Sequence, residues 1–291
     1  MGYATNPFQI ICIDLGGTKL EIGVMENDLL VHHHIQPTAT DFISQLTQSI
    51  DVTLRKHSRV SAISIGVPGP VKDDVMCGSK PLNYQGRLDI SRLLSRFDLP
   101  IIVRNDLQMA AYEELQNGVG RDNRNFCLVS ISTGIGVAAV INRKVLPVRT
   151  EMGHTVLDRV LKPSVPCMGH SNCWVSLASG AAVEKRYSTR EGRNTATIMD
   201  TLPPKEISRI RSVNANGFGA IVNAYDPDVI AVMGSFGLAR FDLIIPTPRE
   251  VELFTMVRPA PPIVRSACGK GIGVRGAYYA ALHSSQPENH S

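Results

Sequence analysis

The apolar positions fall into short runs with a period of two, interleaved with stretches at helical spacing. Ile10 to Ile13 is a continuous apolar run and Leu20 to Val24 resumes apolar/polar alternation. Together they predict a strand pair joined by Asp14-Leu15-Gly16-Gly17-Thr18-Lys19, with three strands over 8–35. Residues 41–57 carry apolar side chains at helical spacing. Val60 to Val67 predicts a strand ending in Gly66-Val67-Pro68-Gly69-Pro70, a rigid turn without helix potential. A helix over Ile90 to Phe97, a strand over Pro100 to Val103 and a helix over Leu107 to Leu115 follow.

The second half repeats the opening. Phe126 to Val129 and Val137 to Ile141 predict another strand pair, joined by Ser130-Ile131-Ser132-Thr133-Gly134-Ile135-Gly136. An irregular stretch is expected over 142–178, then helices near 179–190, 204–224 and 247–256. Val229 to Met233 predicts a strand running into Gly234-Ser235-Phe236-Gly237, and Ile263 to Ser266 another before Cys268-Gly269-Lys270-Gly271. Residues 272–283 predict a last helix, and His283 to Ser291 a disordered polar tail. Strands and helices alternating in two similar halves predict an α/β protein of two lobes, with a ligand cleft between them.

Composition narrows the classes. A chain of 291 residues can bury a large core and suggests two domains. With 43% hydrophobic residues, a mean hydropathy of +0.00, no apolar run of membrane-span length and no signal-peptide core, a soluble cytoplasmic protein is expected. The net charge of +4 is spread along the chain. It suits small anionic ligands and argues against nucleic-acid and membrane partners. Six scattered cysteines are expected as reduced thiols. His32-His33-His34 looks like a metal tract, but successive strand residues point to opposite faces, so a solvated strand end is expected.

The candidate chemistry sits at the turns. In the first loop glycines let backbone N–H groups approach an anion, Thr18 offers a hydroxyl and Asp14 a carboxylate for a hydrated divalent cation. A plain glycine hairpin explains that loop alone equally well. Two such loops suggest a duplicated domain with both facing one nucleotide. GxxxxGK[ST] and a strand-to-helix GxGxxG are both missing, which disfavours Walker-type and dinucleotide folds. Asn105-Asp106 stands at the carboxyl end of a strand, where a carboxylate can take a proton from an attacking hydroxyl. Helix N-capping accounts for one of the two residues. Glu151-Met152-Gly153-His154 adds a carboxylate and an imidazole, although a turn glycine in an exposed loop would produce the same pattern. His154, Cys167, His170 and Cys173 offer four zinc ligands, with a reduced, metal-free loop as the alternative.

Taken together, these motifs resemble the ROK family (repressors, open reading frames and sugar kinases) of the actin-like ATPase superfamily, over about residues 10–283. DLGGTK at 14–19 resembles the family's first phosphate loop, GVPGPV at 66–71 its substrate-lobe turn, and STGIG at 132–136 its second phosphate loop. Asn105-Asp106 resembles the catalytic pair, and Glu151 with His154 the ExGH sugar motif. PPIVRSACGKG at 261–271 is similar to the segment before the family's last helix, and Met233-Gly234-Ser235-Phe236-Gly237 to its adenosine loop. Asn83 is similar to a sugar-binding asparagine. There are departures. In the CxCGxxGC zinc loop, Cys173 matches the last cysteine, Met168 falls at the middle one, and Cys167 is out of register by one. The usual sugar-binding glutamate is Val175, while Ser179-Gly180 is kept.

The resemblance implies a two-lobed actin-like ATPase (ribonuclease H-like) fold of duplicated α/β domains. Its expected boundaries are an N-terminal lobe over 1–115, a C-terminal lobe over 116–271, and a C-terminal helix over 272–291 packing back on the first lobe. It implies transfer of the ATP γ-phosphoryl group to a hexose hydroxyl, the glucose 6-hydroxyl first. An N-acetylglucosamine or N-acetylmannosamine kinase, or an idle sugar sensor, are the alternatives. Repressors of the family carry an N-terminal helix-turn-helix, for which a first strand beginning by residue 8 leaves no room. Asp106 is implied as general base, with Asn83, Asn105, Asp106, Glu151 and His154 on the sugar. Asp14, Gly16, Gly17, Thr18, Lys19, Thr133, Gly134 and Gly234 are implied to hold ATP and Mg2+. Zn2+ on His154, Cys167, His170 and Cys173 and a homodimer complete the expectations; the missing glutamate puts strict glucose preference in question.

Overall fold

Residues 8–157, 167, 171–187, 200 and 202–284 are described by the computed structural model. They divide into two units: Met1–Gln116 with Pro147–Arg149 and Cys268–Ser291, and Asn117–Leu146 with Thr150–Ala267.

The first unit is built from β1 (Gln9–Leu15), β2 (Lys19–Glu26), β3 (Leu29–Pro37), α1 (Phe42–Lys56), β4 (Val60–Val67), β5 (Val71–Lys72), β6 (Val75–Ser79), β7 (Tyr84–Asp89), α2 (Ile90–Leu93), β8 (Ile101–Asn105) and α3 (Asp106–Asn117). Its main sheet runs β3-β2-β1-β4-β8, antiparallel across the first three strands and parallel from β1 onward. The uninterrupted apolar run of β1 is explained by burial on both faces. Ile11, Ile13 and Leu15 pack with Phe42, Leu46 and Ile50 of α1, whereas Ile10 and Cys12 pack with Val274, Ala277 and Tyr278 of the C-terminal helix, Ile272–Ser284. Helix α1 buries Phe42, Leu46, Ile50 and Thr53 at helical spacing, and its Asp41 cap accepts a 3.1 Å bond from the Ser44 N–H.

Residues 71–89 form a second, three-stranded sheet, β5-β6-β7, that the hydrophobic pattern does not announce. Its strands are short, and it turns through left-handed residues Asp73 and Asp74 and bends at Gly78. The helix expected over 90–97 breaks after Leu93 into a separate 3-10 turn over Ser95–Phe97. This small sheet fixes the outer edge of β8. Asp74 Oδ1 accepts from the Val103 N–H at 2.8 Å and from Arg104 Nη1 at 3.1 Å.

The second unit repeats the plan. Strands β9 (Phe126–Ile131), β10 (Ile135–Ile141), β11 (Lys144–Val145), β12 (Val229–Met233) and β13 (Ile263–Arg265) run in the order β11-β10-β9-β12-β13. Again a hairpin is extended on its parallel side by two crossover strands. Among its described residues the helices are α4 (Trp174–Ala178), α5 (Gly180–Tyr187), α6 (Pro204–Tyr225), α7 (Ser235–Ala239), α8 (Phe241–Ile244) and α9 (Pro248–Val251). Three expectations are corrected here. The stretch 142–178 contains β11 and α4. The helix expected over 247–256 is a single turn held by the Thr247/Glu250 capping box. One-turn helices follow β12, where a turn signal alone was visible. Runs this short have no periodicity to detect.

The C-terminal helix, α10 (Ile272–Ser284), returns to the first unit and presses on α3. A methyl group at Gly276 would sit 1.8 Å from the Met109 carbonyl oxygen, a backbone atom that cannot step aside. Gly276→Ala should therefore cost about 3 kcal/mol of stability despite the better helix propensity of alanine. At Gly269 a methyl group meets nothing within 4 Å, and Gly269→Ala should stay within about 0.5 kcal/mol of the parent. Urea denaturation of the two variants checks the contrast, and equal midpoints would contradict it.

Candidate functional site

In the first unit the β1–β2 turn leaves Gly17, Thr18 and Lys19 exposed. The Gly16 N–H donates to the Lys19 carbonyl (2.8 Å), and the Thr38 hydroxyl and N–H donate to the carbonyls of Gly16 (2.7 Å) and Thr18 (3.1 Å). Gly17 is required: its added Cβ would lie 2.6 Å from the Pro81 carbonyl oxygen. That contact sets the Lys80–Asn83 turn against the glycine loop, with Asn83 exposed and left-handed at φ +49°.

Asp14 lies at the loop end of β1, directly opposite Glu21 of β2. Burial pushes its carboxyl up to about 6; Lys19 opposes the shift and Glu21 adds to it. Gly273 of α10 comes so close that a Cβ there would be 2.6 Å from the Asp14 carboxylate. Lys19 Nζ is engaged by Glu21 at 2.5 Å, and Glu21 also meets His33 Nε2 at 2.9 Å. Sequence reading missed Glu21; its signal was a charged residue inside an apolar strand.

Strand β8 delivers Asn105, and Asp106 begins α3. Asn105 acts as a helix cap: its Oδ1 accepts from the N–H groups of Leu107 (2.9 Å) and Gln108 (3.4 Å), and Nδ2 donates to the Gly69 carbonyl (3.0 Å). Gln108 Oε1 accepts from the Asn105 N–H in return (3.3 Å), closing a capping box. Asp106 is half-buried, and its Oδ1 accepts from the Leu107 N–H at 2.8 Å. Capping thus accounts for Asn105. The Asn-x-x-Gln spacing that closes the box was legible in the chain.

In the second unit Thr133 and Gly134 are exposed at the β9–β10 turn. The Ser132 N–H donates to the Gly134 carbonyl, and the first N–H groups of α5 support the loop by donating to Ser132 (2.8 Å) and Thr133 (3.3 Å). Gly234 stands beside it at φ +91°, where a Cβ would be 2.5 Å from the Ile131 carbonyl oxygen, and the Ser132 and Ser235 hydroxyls lie 3.0 Å apart. Gly234 is thereby set against the end of β9 that leads into the Thr133–Gly134 turn.

Met152–His154 form a 3-10 turn after Glu151. Gly153 lies on β10, with its Cβ position 1.9 Å from the Ile135 carbonyl oxygen and 3.1 Å from Val175 Cγ2. His154 turns Nδ1 toward Cys167 Sγ (2.9 Å) and Nε2 toward the Glu151 carboxylate (3.9 Å). Cys173, fully buried, is brought alongside by its bridge to Val156. The donor atoms of His154, Cys167 and Cys173 all lie within 4.8 Å of one another, a spacing that fits three vertices of a thiolate/imidazole zinc tetrahedron. His170, the fourth expected ligand, lies outside the described residues, as does Met168. The six cysteines are thiols.

The raised Asp14 carboxyl has a consequence for stability. Its proton is held more tightly in the folded chain than in the unfolded one. The stability it contributes is therefore complete below about pH 4 and lost as pH rises through about 6. Without added nucleotide or magnesium, Asp14→Asn should melt higher than the parent at pH 7.5, and the gap should close toward pH 4. A gap that does not change with pH would contradict this assignment.

The model of the ROK family matches residues 10–283. An N-acetylmannosamine kinase of Yersinia pestis (strain Pestoides F) is 28% identical over 246 residues, covering 79% of this chain and 83% of that protein. The crystal structure of a ROK hexokinase from Thermus thermophilus superposes with a TM-score of 0.75 at 25% identity, covering 95% of this chain and 99% of that one. A ROK family glucokinase from Streptomyces griseus, crystallised with glucose and AMPPNP, gives 0.72 at 21% identity over 92% and 97% of the two chains. The chain belongs to the ROK family, with that family's two-domain actin-like ATPase fold, and is a phosphotransferase.

Proposed function

We propose that this sugar kinase moves the γ-phosphoryl group of ATP to the 6-hydroxyl of a hexose, glucose being the first candidate. The observation that carries the reading is Asp106: a half-buried carboxylate at the first turn of α3, beside an Asn105 locked by its own capping box. In this reading Asp106 accepts the proton of the sugar 6-hydroxyl as that oxygen bonds to the γ-phosphorus. The bond from phosphorus to the bridging oxygen breaks and ADP leaves. Asn83, Asn105, Glu151 and His154 hold the other sugar hydroxyls. The N–H groups of Gly17, Thr18, Thr133 and Gly134 hold phosphate oxygens, Gly16 closes the turn that presents them, and Gly234 leaves room for the nucleoside. Lys19, already neutralised by Glu21, adds a half-exposed ammonium near the phosphates.

Asp14 suits a hydrated cation, since positive charge relieves a carboxylate that burial holds near 6. Magnesium bound with the nucleotide would spread the charge that builds on the transferred group. His154, Cys167 and Cys173 would hold zinc as a structural ion. Zinc held there would restrain the His154 ring, whose Nδ1 faces Cys167 and whose Nε2 faces the Glu151 carboxylate.

N-acetylmannosamine is the second reading, supported by the Yersinia relative. Val175, half-buried against Gly153, argues against strict glucose preference and leaves the choice of sugar open. An apolar side chain in place of the family glutamate removes a hydrogen bond that would enforce one epimer. Cytoplasmic location and a homodimer belong to this proposal by analogy; none of the described helices is long and apolar enough to cross a membrane.

ATP-dependent phosphorylation should be measured on glucose, mannose, fructose, N-acetylglucosamine and N-acetylmannosamine. One or more should turn over, and Asp106→Ala should lower kcat by about a hundredfold or more while ATP still binds. Near-parental turnover in that variant would sink the role of Asp106. Elemental analysis of protein produced with zinc should give about one zinc per chain, and His154→Ala and Cys173→Ser should lose it. A zinc-free parent would remove the metal from the reading.

A further inference from the structure

Gln108 does more than close a helix cap. Its side chain is 5% exposed, and both ends of the amide are used. Oε1 accepts from the Asn105 N–H at 3.3 Å, and Nε2 donates to the Val148 carbonyl at 3.0 Å. Pro147–Arg149 is a tripeptide of the first unit flanked on both sides by chain of the second. A second tie to this unit is weaker: Arg149 Nη1 lies 3.8 Å from Cys77 Sγ. Val148 itself is half exposed, so its side chain offers little burial to hold the tripeptide in place. Three residues later the chain reaches Glu151.

Helix capping alone does not call for glutamine at this position. The box needs an acceptor at the third helical residue, and glutamate supplies one while also suiting the positive end of the helix dipole. The NH2 group is what glutamate lacks, and the Val148 carbonyl is what receives it. We infer that Gln108 is a positioning residue for sugar binding. It ties the turn that carries Asn105 and Asp106 to the strap that leads into Glu151. The inference rests on the sugar-kinase reading for its functional consequence and on the two hydrogen bonds for its structural one.

Gln108→Glu separates the two roles, because it keeps the acceptor for the Asn105 N–H and sets a carboxylate against the Val148 carbonyl. The sugar KM, on whichever sugar of the panel turns over, should rise about tenfold with the ATP KM close to parental, and the melting temperature should fall because a buried carboxylate faces a carbonyl. Amide hydrogen exchange over residues 147–151 should accelerate while the start of α3 stays protected. Gln108→Met loses both bonds at similar shape. It should raise the sugar KM equally and also melt lower, so it tests the strap even if the glutamate variant folds poorly. An unchanged sugar KM with unchanged exchange over 147–151 in both variants would overturn the inference and leave Gln108 as a cap. If the parent phosphorylates no sugar, the kinase reading fails, while the exchange measurement still decides whether Gln108 holds the strap.

Discussion

Burial of β1 on both faces is the constraint on which the first unit is arranged. Side chains along a strand alternate between its faces, so the odd residues Ile11, Ile13 and Leu15 require one apolar cover and the even residues Ile10 and Cys12 another. Helix α1 supplies the first and the C-terminal helix the second, at about 1.5–3 kcal/mol for each large side chain removed from water. The last helix must therefore return to the beginning of the chain. Once there, its glycines decide how near it comes: Gly276 lets it touch the backbone of α3, and Gly273 lets it approach Asp14. The strand carrying the first glycine loop and the helix opening with Asp106 are thus positioned by one packing requirement.

The second unit solves the same problem with the same strand order. Each unit begins with an antiparallel hairpin whose turn carries glycine and threonine, and each adds two parallel strands on one side. Gly17 and Gly234 occupy places where a Cβ would strike backbone, and Gly153 packs on β10 more closely than any other residue could. These glycines are fixed by close approach, and the groups proposed to bind ligand stand beside them.

Much of this could be read in the chain. The periodicity of β1, β2, β9 and β10 is unambiguous, and their turns are defined by glycine, so the hairpins and their loops were legible. The three-stranded sheet over 71–89 was not, because strands of two to six residues with turns through aspartate present neither alternation nor an Asn-Gly signal. The same limit hid α4 and reduced the expected helix at 247–256 to one turn. Among the site residues, the types and order of Asp14, Asn105, Asp106, Glu151 and His154 were available from sequence. Their environments were not. Nothing in one dimension says that Asn105 spends its amide on Gly69, that Lys19 is engaged by Glu21, or that Cys167, apparently out of register, lies 2.9 Å from His154.

Fold class, family and the residues able to carry chemistry are legible from residue order alone, because they depend on local periodicity and on the succession of motifs. Tertiary structure decided how each residue is employed. Desolvation, ion pairing and hydrogen-bond partners arise from neighbours far apart in the chain. Asp14 owes its raised carboxyl to burial in the packed unit, with Glu21 beside it, and Gln108 reaches a carbonyl forty residues away. Covalent order specifies which groups are present, whereas the dielectric and the partners that set their reactivity exist only once the packing is complete.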